Sequence, residues 1–258
     1  MRVHFYKYQA TGNDFILIDN REGKHKLTTD QIKQLCDRRF GIGADGIILI
    51  EKDLTESFTL NYYNSDGSQS LCGNGSRAAI QFAAHLGIVN SKASFKAYDG
   101  VHDAELLGSG VVRLRMNNVT GIQPVDQAFF LNTGSPHYVR FVKNIHQYPV
   151  FEEGKKIRYS EKFVPQNGTN VNFVELLADN TIFVRTYERG VENETLSCGT
   201  GVTAAALAAS AQGYKSPVSV KTLGGELSVE FKSGQAGAFS DIYLIGPAKM
   251  VFEGYLEL

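Results

Sequence analysis

Short runs of β-branched, aliphatic and aromatic residues alternate with polar turns along most of the chain. They predict strands over Phe15–Ile18, Ile47–Ile50, Phe58–Tyr63, Val111–Met116, Tyr138–Phe141, Thr181–Thr186 and Asp241–Ile245. Two segments change the rhythm to helical spacing. Ala79, Phe82, Ala83 and Leu86 make one apolar stripe, and Val202 to Ala211 is apolar nearly all round. Gly87 and Gly213 stand where each helix would end. A third helix is signalled by Thr28 and Gln31, spaced as a capping box ahead of Ile32, Leu35 and Cys36 on one face. The strands outnumber the helices too far for a doubly wound sheet. The expected class is α+β, with a mostly antiparallel sheet curled around an Ala-rich helix.

The two Ala-rich segments open alike, as Cys72-Gly73-Asn74-Gly75 and Cys198-Gly199-Thr200-Gly201, and each cysteine lies 15 positions before its closing glycine (87 minus 72; 213 minus 198). The match extends along the chain. Thr11-Gly12-Asn13 corresponds to Thr133-Gly134-Ser135 at an offset of 122, and Asp45 corresponds to Asn170 at 125. Phe95–Gly100 likewise corresponds to Val220–Gly225 at 125. The chain therefore reads as two related halves, 1–118 and 119–258, with the last few residues free to return to the first half. Their boundary falls near Asn118–Gln127, where Asn117, Asn118, Gly121 and Pro124 interrupt the apolar pattern. At 258 residues, each half is large enough for its own core.

Charge and cysteine count narrow the function. Lys plus Arg number 26 against 27 acidic residues, so no global field favours nucleic acid or an anionic membrane. Three cysteines make no disulfide framework, which points to a reducing, cytoplasmic setting, and no segment approaches the roughly 20 apolar residues of a spanning helix. Six scattered histidines offer no metal-ligand spacing, so no metal is expected. Gly41-Ile42-Gly43-Ala44-Asp45-Gly46 fits a dinucleotide fingerprint only in letters: a helix precedes it and a strand follows, the reverse of the required order. Turn geometry explains those glycines better.

A thiol at a helix N-terminus faces unpaired backbone N–H groups, which favour thiolate and also form an anion site. Cys72 and Cys198 both sit there, flanked by glycines and polar residues, and are expected to act as one catalytic pair. Cys36, on an apolar helix face, reads as core filling. Asn64-Ser65-Asp66-Gly67 and Glu188-Arg189-Gly190 precede the two cysteines in matched positions, which raises them from ordinary turn and surface pair to substrate contacts. His137 follows Ser135-Pro136 in the loop matched to Thr11–Asp14 and belongs with the same rim.

Taken together, Ala10-Thr11-Gly12-Asn13-Asp14-Phe15, Asn64-Ser65-Asp66-Gly67-Ser68, Cys72-Gly73-Asn74-Gly75, Glu188-Arg189-Gly190 and Cys198-Gly199-Thr200-Gly201 resemble the signature set of diaminopimelate epimerases. The resemblance spans both halves. It implies epimerisation of LL-diaminopimelate to the meso form, in lysine and peptidoglycan precursor biosynthesis, without cofactor. One cysteine thiolate removes the α-proton and the other thiol delivers a proton from the opposite face. By the same resemblance, N–H groups of Gly73, Asn74, Gly199 and Thr200 hold the α-carboxylate, and His137 and Glu188 adjust the thiols. Asn13, Asn64, Asn170, Glu188 and Arg189 bind substrate. Cleft closure on binding and a homodimer are also implied. The chain departs from the family where many members have Asn in place of Ser135 and some have Gln in place of Gly46. The alternatives are a two-cysteine racemase of another amino acid, and a redox sensor in which Cys72 and Cys198 pair without turnover.

Overall fold

The structure is a computed structural model that describes residues 2–257. Met1 and Leu258, the outermost positions of the two expected halves, lie outside the described residues. Two compact units are present, Met1–Leu114 with Gly246–Leu258, and Arg115–Ile245.

In the first unit the order is β1 (Arg2–Ala10), β2 (Asn13–Asp19), α1 (Thr29–Cys36), β3 (Gly46–Glu51), β4 (Phe58–Asn64), α2 (Gly73–His85), β5 (Lys92–Ala97), β6 (Gly100–Gly108) and β7 (Val111–Arg115). The second unit follows with β8 (Gln123–Val125), β9 (Ala128–Asn132), β10 (Pro136–Phe141), α3 (Val150–Arg158), β11 (Asn170–Leu176), β12 (Thr181–Glu188), β13 (Asn193–Thr195), α4 (Gly199–Ser210), β14 (Val218–Thr222), β15 (Gly225–Ser233) and β16 (Phe239–Pro247). The last strand, β17 (Lys249–Glu257), pairs with β1 in the first unit.

Most strand pairs are antiparallel, as expected for the α+β class, and the exceptions explain the helices. β2 with β3, β4 with β5, β10 with β11, and β12 with β14 are parallel. Parallel neighbours need a long crossover, and the four helices α1, α2, α3 and α4 supply one each. The duplication thus has a physical form, one β–helix–β crossover followed by a second in each unit.

Each Ala-rich helix is enclosed by its own unit's strands. α2 packs on β1, β2, β3, β4, β6 and β17, and α4 on β9, β10, β11, β12, β14 and β15. Ala78, Ala79, Ile80, Phe82 and Ala83 of α2 are fully buried, as are Val202 and Ala204 to Ala209 of α4. Small side chains let strands approach on every side, and Ile80 and Phe82 each contribute roughly 1.5–3 kcal/mol by burial. Gly87 (φ 72°) follows the α2 cap in the left-handed region that terminates helices.

The smaller helices close the rest of the two cores. α1 begins with the expected capping box, since the Thr28 hydroxyl accepts from Gln31 N–H and the Gln31 side chain accepts from Thr28 N–H. Its Ile32, Leu35 and Cys36 join Val3, Phe5, Ile16, Ile18, Ile47 and Leu49 in one cluster. Burial pushes the Cys36 thiol up to about 11, which fits core filling. α3 is the counterpart of α1, and its Val150 and Ile157 pack with Val171, Phe173 and Tyr187.

Strand register also corrects the alignment of the halves by one residue. Phe15 pairs with Gly46, and its counterpart His137 pairs with Asn170, so Asn170 matches Gly46 (170 minus 46 gives 124) rather than Asp45. A Cβ on Gly46 would lie 2.4 Å from the Tyr62 ring and 2.5 Å from the Tyr63 carbonyl. The space for a side chain at this position in the first unit is taken by Tyr62.

Candidate active site

In the first unit, Cys72 is the N-cap of α2 in an extended conformation, and its Sγ accepts from the Gly75 N–H at 3.4 Å. Gly73, Asn74 and Gly75 form the first turn and are buried. The Cys72 thiol donates to Asn13 Oδ1 at 3.5 Å, and Asn74 Nδ2 donates to the same oxygen at 3.3 Å.

Asn13 is in turn fixed by charge. Its amide nitrogen donates to Asp45 Oδ2, which also accepts the Asp14 N–H at 3.1 Å. Only the carbonyl end of the Asn13 amide is then left for Cys72. Arg38 bridges Asp14 at 2.6 Å and Asp45 at 2.8 Å, and Lys7 meets Asp14 at 2.7 Å. Burial alone would raise the Asp14 carboxyl, but hydrogen bonds from Arg38 and Lys7 outweigh it and hold the group down at about 2.

Beneath the first turn of α2 lies Arg77, fully buried. It donates to Thr11 Oγ1 at 3.1 Å and to the Gly73 carbonyl at 3.4 Å, while its Nε has no hydrogen-bond partner. Burial pushes this guanidinium down to about 10, and the charge opposing that shift is that of Cys72.

Asn64 ends β4, but its amide turns back into its own loop, donating to the Ser68 carbonyl, Ser68 Oγ and Ser70 Oγ at 3.0–3.2 Å. In this arrangement Asn64 shapes the segment leading to Cys72.

In the second unit Cys198 is the N-cap of α4, buried, with Sγ 3.5 Å from Thr200 Oγ1. Thr200 Oγ1 is 2.9 Å from His137 Nε2, and the Thr200 carbonyl accepts from Thr133 Oγ1 at 2.9 Å. His137 is fully buried; burial first, then the nearby Arg189 charge, push its pKa down to about 3. The imidazole is therefore neutral at physiological pH. His137 thus meets Thr200 as an uncharged hydrogen-bonding group.

Asn170, Ser135 and Arg189 form a second cluster in this unit. Asn170 Nδ2 donates to Ser135 Oγ at 2.9 Å and the Pro136 carbonyl at 3.0 Å, and its Oδ1 accepts from Arg189 N–H at 2.9 Å. The Arg189 guanidinium reaches Ser135 Oγ at 3.4 Å. Ser135 thus makes two contacts in this cluster. Glu188 accepts from Thr195 Oγ1 at 2.9 Å.

Sequence reasoning passes over Arg38, Arg77 and Asn172. Arg77 carries a signal, a charged residue on the apolar side of an Ala-rich helix. So does Asn172, a polar residue inside Val171–Val174 and two positions from Asn170, hence on the same strand face.

Within the chain, then, each unit presents one helix N-terminus capped by cysteine, with buried polar side chains behind it. Among the described residues no group of His, Cys, Asp and Glu has metal-binding geometry, and no helix is long and apolar enough to cross a membrane. The fold recurs in a Bacillus anthracis phenazine biosynthesis protein of the PhzF family, with TM-score 0.77 at 13% identity over 100% of both chains. It recurs also in a probable proline racemase from Agrobacterium radiobacter, with TM-score 0.71 at 15% identity over 99% of this chain and 93% of that one. Similarity in sequence is far stronger elsewhere. A diaminopimelate epimerase of Flavobacterium psychrophilum is 49% identical over 97% of this chain and 99% of its own length. One from Chlorobaculum tepidum is 44% identical over 96% and 99%. The family model for diaminopimelate epimerase matches residues 5–120 and 129–251, so both units are covered and the chain belongs to the diaminopimelate epimerase family.

Proposed function

We propose that the chain interconverts LL- and meso-diaminopimelate by proton transfer between two cysteines, without cofactor, in the pathway to lysine and peptidoglycan precursors. The observation that carries the reading is the repeated N-cap. Cys72 and Cys198 are each the N-cap of a buried helix, beside the first-turn N–H groups that such a helix leaves without intrahelical partners.

Inversion requires two groups, because one base returning a proton to the face it left restores the original centre. In the proposed reaction a thiolate takes the α-proton and the other thiol supplies one to the opposite face. The N–H groups of Gly73, Asn74, Gly199 and Thr200 bind the α-carboxylate and counter the charge that builds on the carbanion. Asn13 holds Cys72 through its carbonyl, and His137 acts on Cys198 through Thr200. Asn170, Arg189 and Glu188, with Asn64, recognise the distal amino acid group. Ser135 contributes there by accepting from both Asn170 and Arg189. A homodimer working in the cytoplasm completes the proposal.

The test is solvent exchange. Protein incubated in heavy water under reducing conditions with LL-diaminopimelate is expected to place deuterium on the α-carbon as the meso isomer forms. Cys72→Ala and Cys198→Ala are each expected to abolish inversion. Turnover of proline or another amino acid with none of diaminopimelate would replace the substrate assignment, and no exchange with any amino acid would refute the enzyme reading.

A further inference from the structure

Asn172, on β11, is fully buried and uses every polar atom of its amide. Its Nδ2 donates to the Tyr138 carbonyl at 3.1 Å, a contact that only the nitrogen can make, and its Oδ1 accepts from Thr186 Oγ1 at 2.9 Å. These two bonds fix which way the amide points. The remaining Nδ2 proton faces His137 Nδ1 at 3.1 Å, so that ring nitrogen carries a lone pair. A neutral imidazole with Nδ1 bare carries its proton on Nε2, and Nε2 faces Thr200 Oγ1 at 2.9 Å. The Thr200 hydroxyl therefore accepts from His137, and its own proton is left for Cys198 Sγ at 3.5 Å.

We propose that Asn172 is a positioning residue which, by fixing the tautomer of His137, turns the Thr200 hydroxyl into a hydrogen-bond donor to the Cys198 sulfur. A donor to sulfur stabilises thiolate over thiol. The chain of bonds thus biases Cys198 toward the proton-accepting form without placing a charge beside it. Burial and the nearby Arg189 charge, which push the His137 pKa down, keep the ring in the neutral form this arrangement requires. Gly201 belongs to the same device: a Cβ there would lie 2.4 Å from Asn172 Oδ1.

Among the described residues the first unit has no counterpart. Ile48 holds the place of Asn172 on β3, and Cys72 faces the Asn13 carbonyl, an acceptor that favours thiol. The two half-sites are alike in backbone and differ in the side chain they offer sulfur, an amide carbonyl at Cys72 and a hydroxyl at Cys198.

The inference rests on Cys198 being a reacting thiol, yet its first test needs no turnover. Long-range proton–nitrogen correlation on the whole protein labelled with 15N-histidine should show His137 as the neutral Nε2–H tautomer at pH 7. An Nδ1–H tautomer or an imidazolium would overturn the proposal even if diaminopimelate is epimerised. Failure of epimerisation with the Nε2–H tautomer present would instead count against the enzyme reading. In a Cys72→Ala background, Asn172→Leu is expected to give a mixture of tautomers and to slow alkylation of Cys198 by iodoacetamide roughly tenfold at pH 7, the effect of losing one hydrogen bond to a charged group. His137→Gln, whose amide offers an uncharged N–H to Thr200, is expected to lose less reactivity than His137→Leu. Equal loss in both, or an unchanged rate in Asn172→Leu, would also overturn it.

Discussion

Replacing Arg77 by Met is predicted to make the protein more stable and less active. The guanidinium is wholly buried, and burial lowers its pKa from 12.5 to about 10. The fall of ~2.5 units corresponds to roughly 3 kcal/mol by which the folded state disfavours the cation. The sign follows from proton binding. A base whose pKa is depressed by folding destabilises the native state wherever the unfolded chain is protonated, so the penalty is constant up to about pH 10 and fades only above it. Against this stand one good hydrogen bond to Thr11 and a long one to the Gly73 carbonyl, each contributing about 1 kcal/mol. Methionine fills a similar volume and carries neither the charge nor the bonds. The balance favours Arg77→Met by about 1 kcal/mol, or about 3 °C in Tm. Inversion should fall at least tenfold, because the cation that favours the Cys72 thiolate is gone. Thermal unfolding followed by circular dichroism at pH 7, beside steady-state epimerisation, measures both. A Tm several degrees lower with activity retained would show that Arg77 is a structural residue and that its charge does no chemistry.

Two other substitutions probe the frame around the half-sites. Asp14→Asn should cost on the order of 2 kcal/mol at pH 7, since the carboxyl drops from 3.8 to about 2 on folding. That contribution is present above the unfolded value and is lost as pH falls through about 2. Urea midpoints of variant and parent should therefore differ at pH 7 and converge as the pH is lowered through 3. Gly154→Ala in α3 places a Cβ 2.4 Å from the Tyr187 Cβ, and the overlap should cost roughly 1–3 kcal/mol beyond the gain in helix propensity. A lower urea midpoint with an unchanged m-value is expected, and a raised midpoint would refute the packing argument.

How far the sequence reveals the molecule depends on the range of the interactions involved. The Cys72 and Cys198 helices are legible because cap, Ala run and terminal glycine lie within 16 residues of one another. α3 is not, since it starts at Pro149, contains Gly154 and buries little besides Val150 and Ile157; it forms because β11 and β12 offer a surface. β17 is equally hidden, with Met250 to Phe252 exposed and a strand conformation owed to its pairing with β1. Asn64 follows the local turn chemistry of its loop. Asn172 looks like an isolated polar residue in an apolar run until Tyr138, Thr186 and His137 are brought beside it by strand register.

The return of β17 to β1 sets an order on folding. The second unit binds its own entrance to its exit, through Met116 N–H to the Ile242 carbonyl at 2.8 Å and Val119 N–H to the Phe239 carbonyl at 3.0 Å. It can therefore condense from a continuous stretch of chain as it leaves the ribosome. The first unit cannot, because β1 must wait for a partner that begins 239 positions after its last residue (249 minus 10). Once the second unit has closed, the loop still to be ordered is about half as long, and halving it lowers the entropic cost by only about 0.6 kcal/mol. The larger effect is on timing. Until Lys249–Glu257 arrives, β1 presents an unpaired edge, the kind of surface on which chains aggregate. The half that carries Cys72 is thus the later to mature and the more dependent on protection during synthesis.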